Sequence, residues 1–470
     1  MRCRAVSLWT LFVVAMAVAV ELWPSTAQAQ NNNNNENNNQ NVSAASGIEV
    51  DANGVVRKRS MVDTSGMTAR ERAAAQRALM TRDVFAPSKL RKISLTRLEK
   101  AILDKGGVLS DEMRYLAGLQ RVRYVFYYPE TKDIVLAGPA EGWILDGFGR
   151  ALGVQSGRPA VQLQDLVVAL RAFAPGTDGA KVIGCSIDPT PEGLEALQQF
   201  VRQTPSTFQR GQEQELAPRL AEGARESLGL QNVTVNGVPA KTHFAQVLVE
   251  ADYRMKLIGI GLEQPPVRMT IFVDRVNPSQ MARNALVRWF FVPDYNCVRV
   301  SEDSLAMELV GDGVKLVGED EMVAEGCKRV VSGRSNAASL AFVNSFTQKY
   351  PILADRSPVY AELRNLIDLS VAAAFIQKQD YYGKAGWKME LFGNEQSMAT
   401  EVYNVPKQVE STVNAVWRGS RLLTPVAGGV RIEALMAIKP ENVLADEKGH
   451  VSRLHGEAKL KLARNQWWWD

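Results

Sequence analysis

Histidine is almost missing from this chain: there are 3 among 470 residues, His243, His450 and His455. None falls in an HExxH or HxH pattern, which would put two imidazoles on one side of an element for zinc. A metal site would need the acidic run Glu319-Asp320-Glu321 to converge on one of them. Beside a hairpin turn such a run reads as solvated surface, so no metal is expected. Cysteine is nearly as sparse, at 4 residues, with no CxxC spacing, which excludes a disulfide scaffold and a thioredoxin-type redox pair. The nucleophile signatures G-x-S-x-G and S-x-x-K do not occur, and neither does the phosphate-cradling P-loop. Past the N-terminus no apolar run approaches the roughly 20 residues that span a bilayer as a helix. The net charge of +4 is too small to point to nucleic acid.

What is present begins with an export signal. Arg2 and Arg4 precede an apolar run from Ala5 to Val20, ended by Glu21 and Pro24, and Ala27-Gln28-Ala29 has the small-x-small pattern of a signal-peptidase site. The sequence therefore predicts a cleaved signal peptide over 1–29 and a protein exported to the periplasm or the extracellular space. No transmembrane segment is expected after cleavage. Cys3 lies on the wrong side of the apolar run for lipid attachment. Gln30 to Asn41 is nearly pure Asn, with one Glu and two Gln; with nothing to bury against its ordering entropy, the segment 30–46 is expected to be a disordered tether.

The body reads as α+β. A basic region, 47–120, opens with a hairpin whose turn is Asn53-Gly54, followed by a helix over Thr68–Arg82 and helices capped by Ser94 and Ser110. Between Arg57 and Lys105 there are 13 Lys/Arg against 5 Asp/Glu, a charge expected on solvated helix faces rather than against an anionic polymer. An α/β-like layered segment, 121–262, starts with a hairpin carrying Tyr124, Phe126 and Tyr128 on one face. It ends with the strongest helix pattern in the chain, Thr242–Gly261, where Phe244, Val247, Leu248, Ala251 and Met255 recur at helical spacing and Asp252 precedes Lys256 by one turn. Period-two alternation then predicts strands over Met269–Val276, Val287–Val292, Cys297–Ser301, Leu305–Val310 and Val314–Gly318. They are expected to form an antiparallel sheet around 267–320, within a region 263–335. The last region, 336–470, is expected to hold helices over Ala337–Lys349 and Val359–Gln379, then short strands around Trp387–Phe392, Arg421–Thr424, Val430–Ile438 and 447–449.

The stretch from Ala251 to Gly261, ADYRMKLIGIG, resembles a segment of a family of large exported bacterial proteins of unknown function. Pro358–Asp368 and Thr424–Val430 are similar to it as well. The resemblance implies an exported protein and brings no catalytic residues.

The residues themselves offer little chemistry. Cys185, His243 and Asp252 could be combined as a nucleophile set, but Cys185 is flanked by Val182, Ile183 and Ile187 and reads as a buried thiol. Three single-bridge pairings are open to the cysteines left after cleavage. The expected one is Cys297–Cys327, against the competing arrangement of three unpaired thiols. Gly147 to Gly153 misses the dinucleotide fingerprint and reads as a loop, so no cofactor is expected. Trp467-Trp468-Trp469 is read as a plug packed on the body, against an exposed patch for a partner. No catalytic residue stands out. The reading is a non-enzymatic binding or scaffolding module whose partner is an envelope protein or a polysaccharide. Its rival is an extracytoplasmic hydrolase using a carboxylate pair, which spacing alone neither supports nor excludes.

Overall fold

The computed structural model describes residues 44–62, 69–204, 212–277, 285–294, 296–323, 329–331, 336–418, 420–457, 462–463 and 466–470. The expected signal peptide and nearly all of the expected tether fall outside them, as does Cys327.

Two helices explain the architecture. In His243–Gly259 every residue from Phe244 onward is buried except Gln246, and in Pro358–Lys378 burial is continuous from Val359 to Ile376. Helices enclosed on all sides need a layer on each side, and the molecule supplies two sheets. The larger runs in the order 44–50, 55–62, 408–409, 231–236, 183–188, 420–432, 285–293, 314–323, 329–331, with 413–418 pairing on 420–432. The helix His243–Gly259 packs on its central strands Ile183–Asp188 and Ser420–Ile432, and Ala337–Arg356 packs on Val314–Val323. Helices Pro191–Gln203 and Glu213–Leu228 bury Leu194, Leu197, Ala224 and Leu228 against Leu286, Val413 and Ala427 of the same sheet. The second sheet runs 443–445, 298–300, 306–309, 124–128, 133–140, 88–94, 468–469.

The fold class is α+β, as the sequence predicts, and the large sheet draws strands from all four regions of the body. The strands expected around 267–320 pair antiparallel, but in two sheets: Ala285–Pro293 with Val314–Val323 in the larger, Val298–Val300 with Ala306–Leu309 in the second. Ala285–Pro293 also pairs parallel with the distant Ser420–Ile432, a contact that local alternation cannot report. Met269–Val276 is not a strand; it holds the short helix Phe272–Arg275. Trp387–Phe392 is irregular, and the region around 447–449 gives the strand Val443–Ala445 and the helix His450–Glu457 rather than a strand pair. The helix from Ala337 runs through Pro351 to Arg356. At the sheet's centre Gly428 needs its missing side chain: a Cβ would stand 1.9 Å from the Trp289 carbonyl oxygen.

The aromatic hairpin face is core, as expected. Phe126 and Tyr128 are buried under the helix His450–Glu457, with the His455 ring stacked on Tyr128 at 4.6 Å. The tryptophan triplet packs back on the body. Trp467 is buried, Trp468 pairs with Ile93 and Trp469 with Lys92, and the Trp468 indole donates to Glu112. Asp470 accepts from Arg91 Nε at 2.8 Å. Arg91 itself is fully buried and donates to the carbonyls of Val84, Ala117, Asp83 and Ala86. That part of the basic segment is structural rather than a solvated face.

Candidate functional site

Two helices begin at one cavity. Leu163–Ala172 starts after Gln162, which contributes no side-chain cap, and His243–Gly259 starts after Thr242, whose hydroxyl accepts from the Ala245 N–H at 3.3 Å. Gln162, Leu163, Gln164 and His243 line a cavity of about 140 Å³. Asp165, in the first turn of its helix and buried, holds the His243 Nδ1 proton at 2.9 and 3.1 Å.

The second wall is the loop before Ala151. Asp146 Oδ1 accepts the N–H groups of Phe148 and Arg150 at 2.8 and 2.9 Å, closing a tight turn with Gly149 at φ +77°. This turn sends the Phe148 ring and the Arg150 guanidinium to the cavity, the guanidinium lying 5.6 Å from the ring centroid. Behind it Arg150 donates to Glu362 at 3.1 Å and to Glu250 at 2.5 Å. Glu250 also accepts from Arg254 at 3.2 Å, and Arg254 donates to Glu263 at 2.8 Å. All five of these charged residues are buried.

The third wall is the irregular segment carrying Met398, Thr400, Glu401 and Tyr403. It is pinned from outside the cavity. Arg171 donates to the carbonyls of Phe392 and Met398 at 2.7 and 2.6 Å, and Glu99 accepts the N–H groups of Leu391 and Phe392 at 2.8 and 2.7 Å.

A continuous hydrogen-bonded chain rings the cavity. Arg114 donates to Glu401 (3.2 Å), as does the Tyr403 hydroxyl (3.1 Å); Gln164 donates to Tyr403 (3.4 Å) and to Gln162 (2.6 Å); the Gln162 amide meets His243 Nε2 at 3.3 Å. Burial alone would hold the His243 pKa down, but the adjacent Asp165 carboxylate, with help from Glu362, raises it to about 9. Burial, reinforced by Glu401, pushes Tyr403 up to about 12. At neutral pH the site therefore presents an imidazolium and a phenol. The Gln162 amide nitrogen faces Nε2, which suits a neutral ring. An imidazolium would need the amide oxygen there instead, at the expense of the bond that Gln164 donates to that oxygen.

Among the described residues lining the cavity there is no Ser, Cys or Lys. Two acids do lie close together, Glu250 and Glu362, but both are behind Arg150 and bound to it. Burial raises the Glu362 pKa, against the pull of Arg150. The nucleophile set imagined from sequence does not assemble. His243 is held by Asp165, whereas Asp252 is taken by Lys256 at 2.6 Å, and Cys185 is a buried thiol whose pKa burial and Asp252 push well up. Cys297 is buried; its expected partner Cys327 lies outside the described residues, so that pairing lies there too. Among the described residues no group of His, Cys, Asp and Glu is arranged to hold a metal ion. A larger, open hollow of about 380 Å³ lies over Asp83, Glu112 and the terminal Trp467–Asp470, but it holds no buried polar constellation. Sequence reasoning named His243 and missed Asp165, Arg150, Gln162, Gln164 and Tyr403, which come from three other segments.

Residues 185–272 match a family described as protein of unknown function (DUF1598). The match agrees with the resemblance to an uncharacterised family. It includes the stretch 251–261 and His243, but neither of the other two resembling stretches and none of the cavity's remaining wall residues. No curated protein and no solved structure shows significant similarity to the chain.

Proposed function

We propose that this chain is an exported, non-enzymatic binding module whose cavity takes a small polyhydroxylated molecule, about one sugar ring in size. The observation that carries the reading is the chain of hydrogen-bonded polar side chains, Glu401, Tyr403, Gln164, Gln162 and His243, around a cavity also lined by Tyr115 and Phe148. Amide and phenol groups both donate and accept, and an imidazolium donates, which suits hydroxyl groups. Aromatic faces suit the apolar side of a sugar ring. Walls fixed from outside need little ordering on binding. Export rests on the N-terminal pattern, and a saccharide of the envelope or the extracellular space is a ligand that such a compartment supplies. The rival hydrolase would need a carboxylate free to reach the ligand. Glu250 and Glu362 are both engaged by Arg150, and Glu401, the one carboxylate among the described lining residues, is engaged by Arg114 and Tyr403, which favours the binder.

The test is a panel of monosaccharides, N-acetylated amino sugars, uronic acids and polyols, with amino acids as controls, read by thermal shift and then calorimetry. At least one sugar-class compound should bind one-to-one, and Tyr403→Phe should weaken it. Binding confined to the amino acids, or to none, overturns the reading.

A further inference from the structure

The hairpin formed by Ala44–Val50 and Val55–Val62 touches the cavity's frame at three places. The first strand passes directly over Phe148: a Cβ on Gly47 would stand 3.0 Å from that ring. The hairpin's carbonyls hold the third wall, where Asn404 Nδ2 donates to Val50 at 2.8 Å and the Lys407 N–H donates to Gly54 at 2.8 Å. Lys58 ends the ion network, its Nζ lying 2.9 Å from Glu263 Oε2, and the network continues through Arg254 and Glu250 to Arg150.

The same hairpin is lightly attached. It is the edge of the large sheet, and its pairing with the next strand is short: Val55 and Val56 lie opposite Gln408 and Val409, and the Gln408 N–H donates to Gly54. Among its described side chains Val56 alone is fully buried. Segments with few buried apolar contacts open locally at far lower cost than the core, and a two-stranded ribbon has little stability of its own.

We propose that this hairpin is a clasp over the cavity. While docked it presses Phe148 inward and fixes the 403–407 wall; when it lifts from the sheet edge, Phe148 swings out and His243 becomes accessible. Access to the cavity is thus set by local opening of the hairpin and not by unfolding of the body. The inference goes beyond ligand binding and holds whatever the ligand is.

Diethyl pyrocarbonate labelling of the full chain at pH 9, where a substantial share of His243 is the neutral imidazole that the reagent acylates, read by peptide mass spectrometry, tests it without any ligand. His243 reports the cavity, and His455, stacked on Tyr128 under the second sheet, reports the body. Val56→Asp places a charge at the hairpin's one buried anchor and should speed His243 labelling about tenfold or more, as local opening becomes easier, with His455 unchanged. Lys58→Met/Asn404→Ala removes two polar ties at exposed positions, avoids the risk of unfolding, and should give a smaller acceleration of His243 alone. Unchanged His243 labelling in both variants overturns the clasp. So does equal acceleration of His243 and His455, because the hairpin would then not open separately from the body.

Discussion

The two sides of the helix His243–Gly259 handle buried charge in opposite ways. On one side Glu250 and Arg254 join Arg150, Glu263, Glu362 and Lys58 in a network that runs from the cavity to the surface, where the Lys58 side chain is 33% exposed. On the other side Asp252 and Lys256 form a closed pair, both at 0% exposure, against the large sheet. Lys256 adds one bond to the Ile187 carbonyl, and one Asp252 oxygen has no hydrogen-bond partner. In the network Arg150, Glu250, Arg254 and Glu263 each have two partners, while Glu362 and Lys58 end it with one each, so removing an end member such as Lys58 leaves the rest satisfied. The closed pair has no substitute partners. A buried pair of that kind is weak evidence of stabilisation, although breaking it is costly.

This contrast orders the expected effects. Lys256→Met should be the most damaging, costing about 3–5 kcal/mol in urea unfolding, because it strands a buried carboxylate. Burial already raises the Asp252 pKa to about 6, opposed by Lys256. In the variant, protonation rescues Asp252, so the loss should be larger at pH 8 than at pH 5. Asp252→Leu/Lys256→Met should recover to within about 1 kcal/mol of the parent. A double variant as unstable as the single one would show that the pair is worth more than its apolar replacement.

Next in size is the pH dependence from His243. Its folded pKa of about 9 lies above the ordinary imidazole value of 6.5. The folded state therefore holds the proton more tightly, and this stability is complete below pH 6.5 and lost as pH rises towards 9. The loss should reach roughly 3 kcal/mol, and His243→Gln should remove that slope. A parent stability that is flat from pH 6.5 to 9 would mean that Asp165 does not hold an imidazolium. The smallest effect is expected for Lys58→Met, about 1 kcal/mol or less, since Arg254 still holds Glu263.

The helix itself was legible: the Phe244, Val247, Leu248, Ala251, Met255 spacing predicts Thr242–Gly261, and the element is His243–Gly259 with Thr242 as its cap. Its burial was only half legible. The spacing puts Glu250 with Arg254 on one side and Asp252 with Lys256 on the other, and the sequence reads the second as a one-turn ion pair. Partners a hundred or more positions distant, such as Glu362 and Arg150, enclose the first, and no local pattern announces them. The cavity was less legible still. Asp165 looks like an ordinary first-turn acid, Arg150 lies in a glycine-rich stretch read as a plain loop, and Tyr403 lies in a segment without periodicity. They meet only because both sheets bring their helices to one place. The β segments failed where pairing was non-local, as at Ala285–Pro293 with Ser420–Ile432.

The account stands most directly on His243 as part of a binding cavity. The measurement is ¹⁵N NMR of the histidine side chains at pH 7, with each sugar-class compound titrated in and the compound's own proton spectrum recorded in the same tube. The account predicts a doubly protonated His243 whose Nε2 signal shifts saturably with one compound, while that compound stays chemically unchanged. A neutral His243, an Nε2 signal indifferent to every compound, or steady conversion of the compound that binds would contradict it.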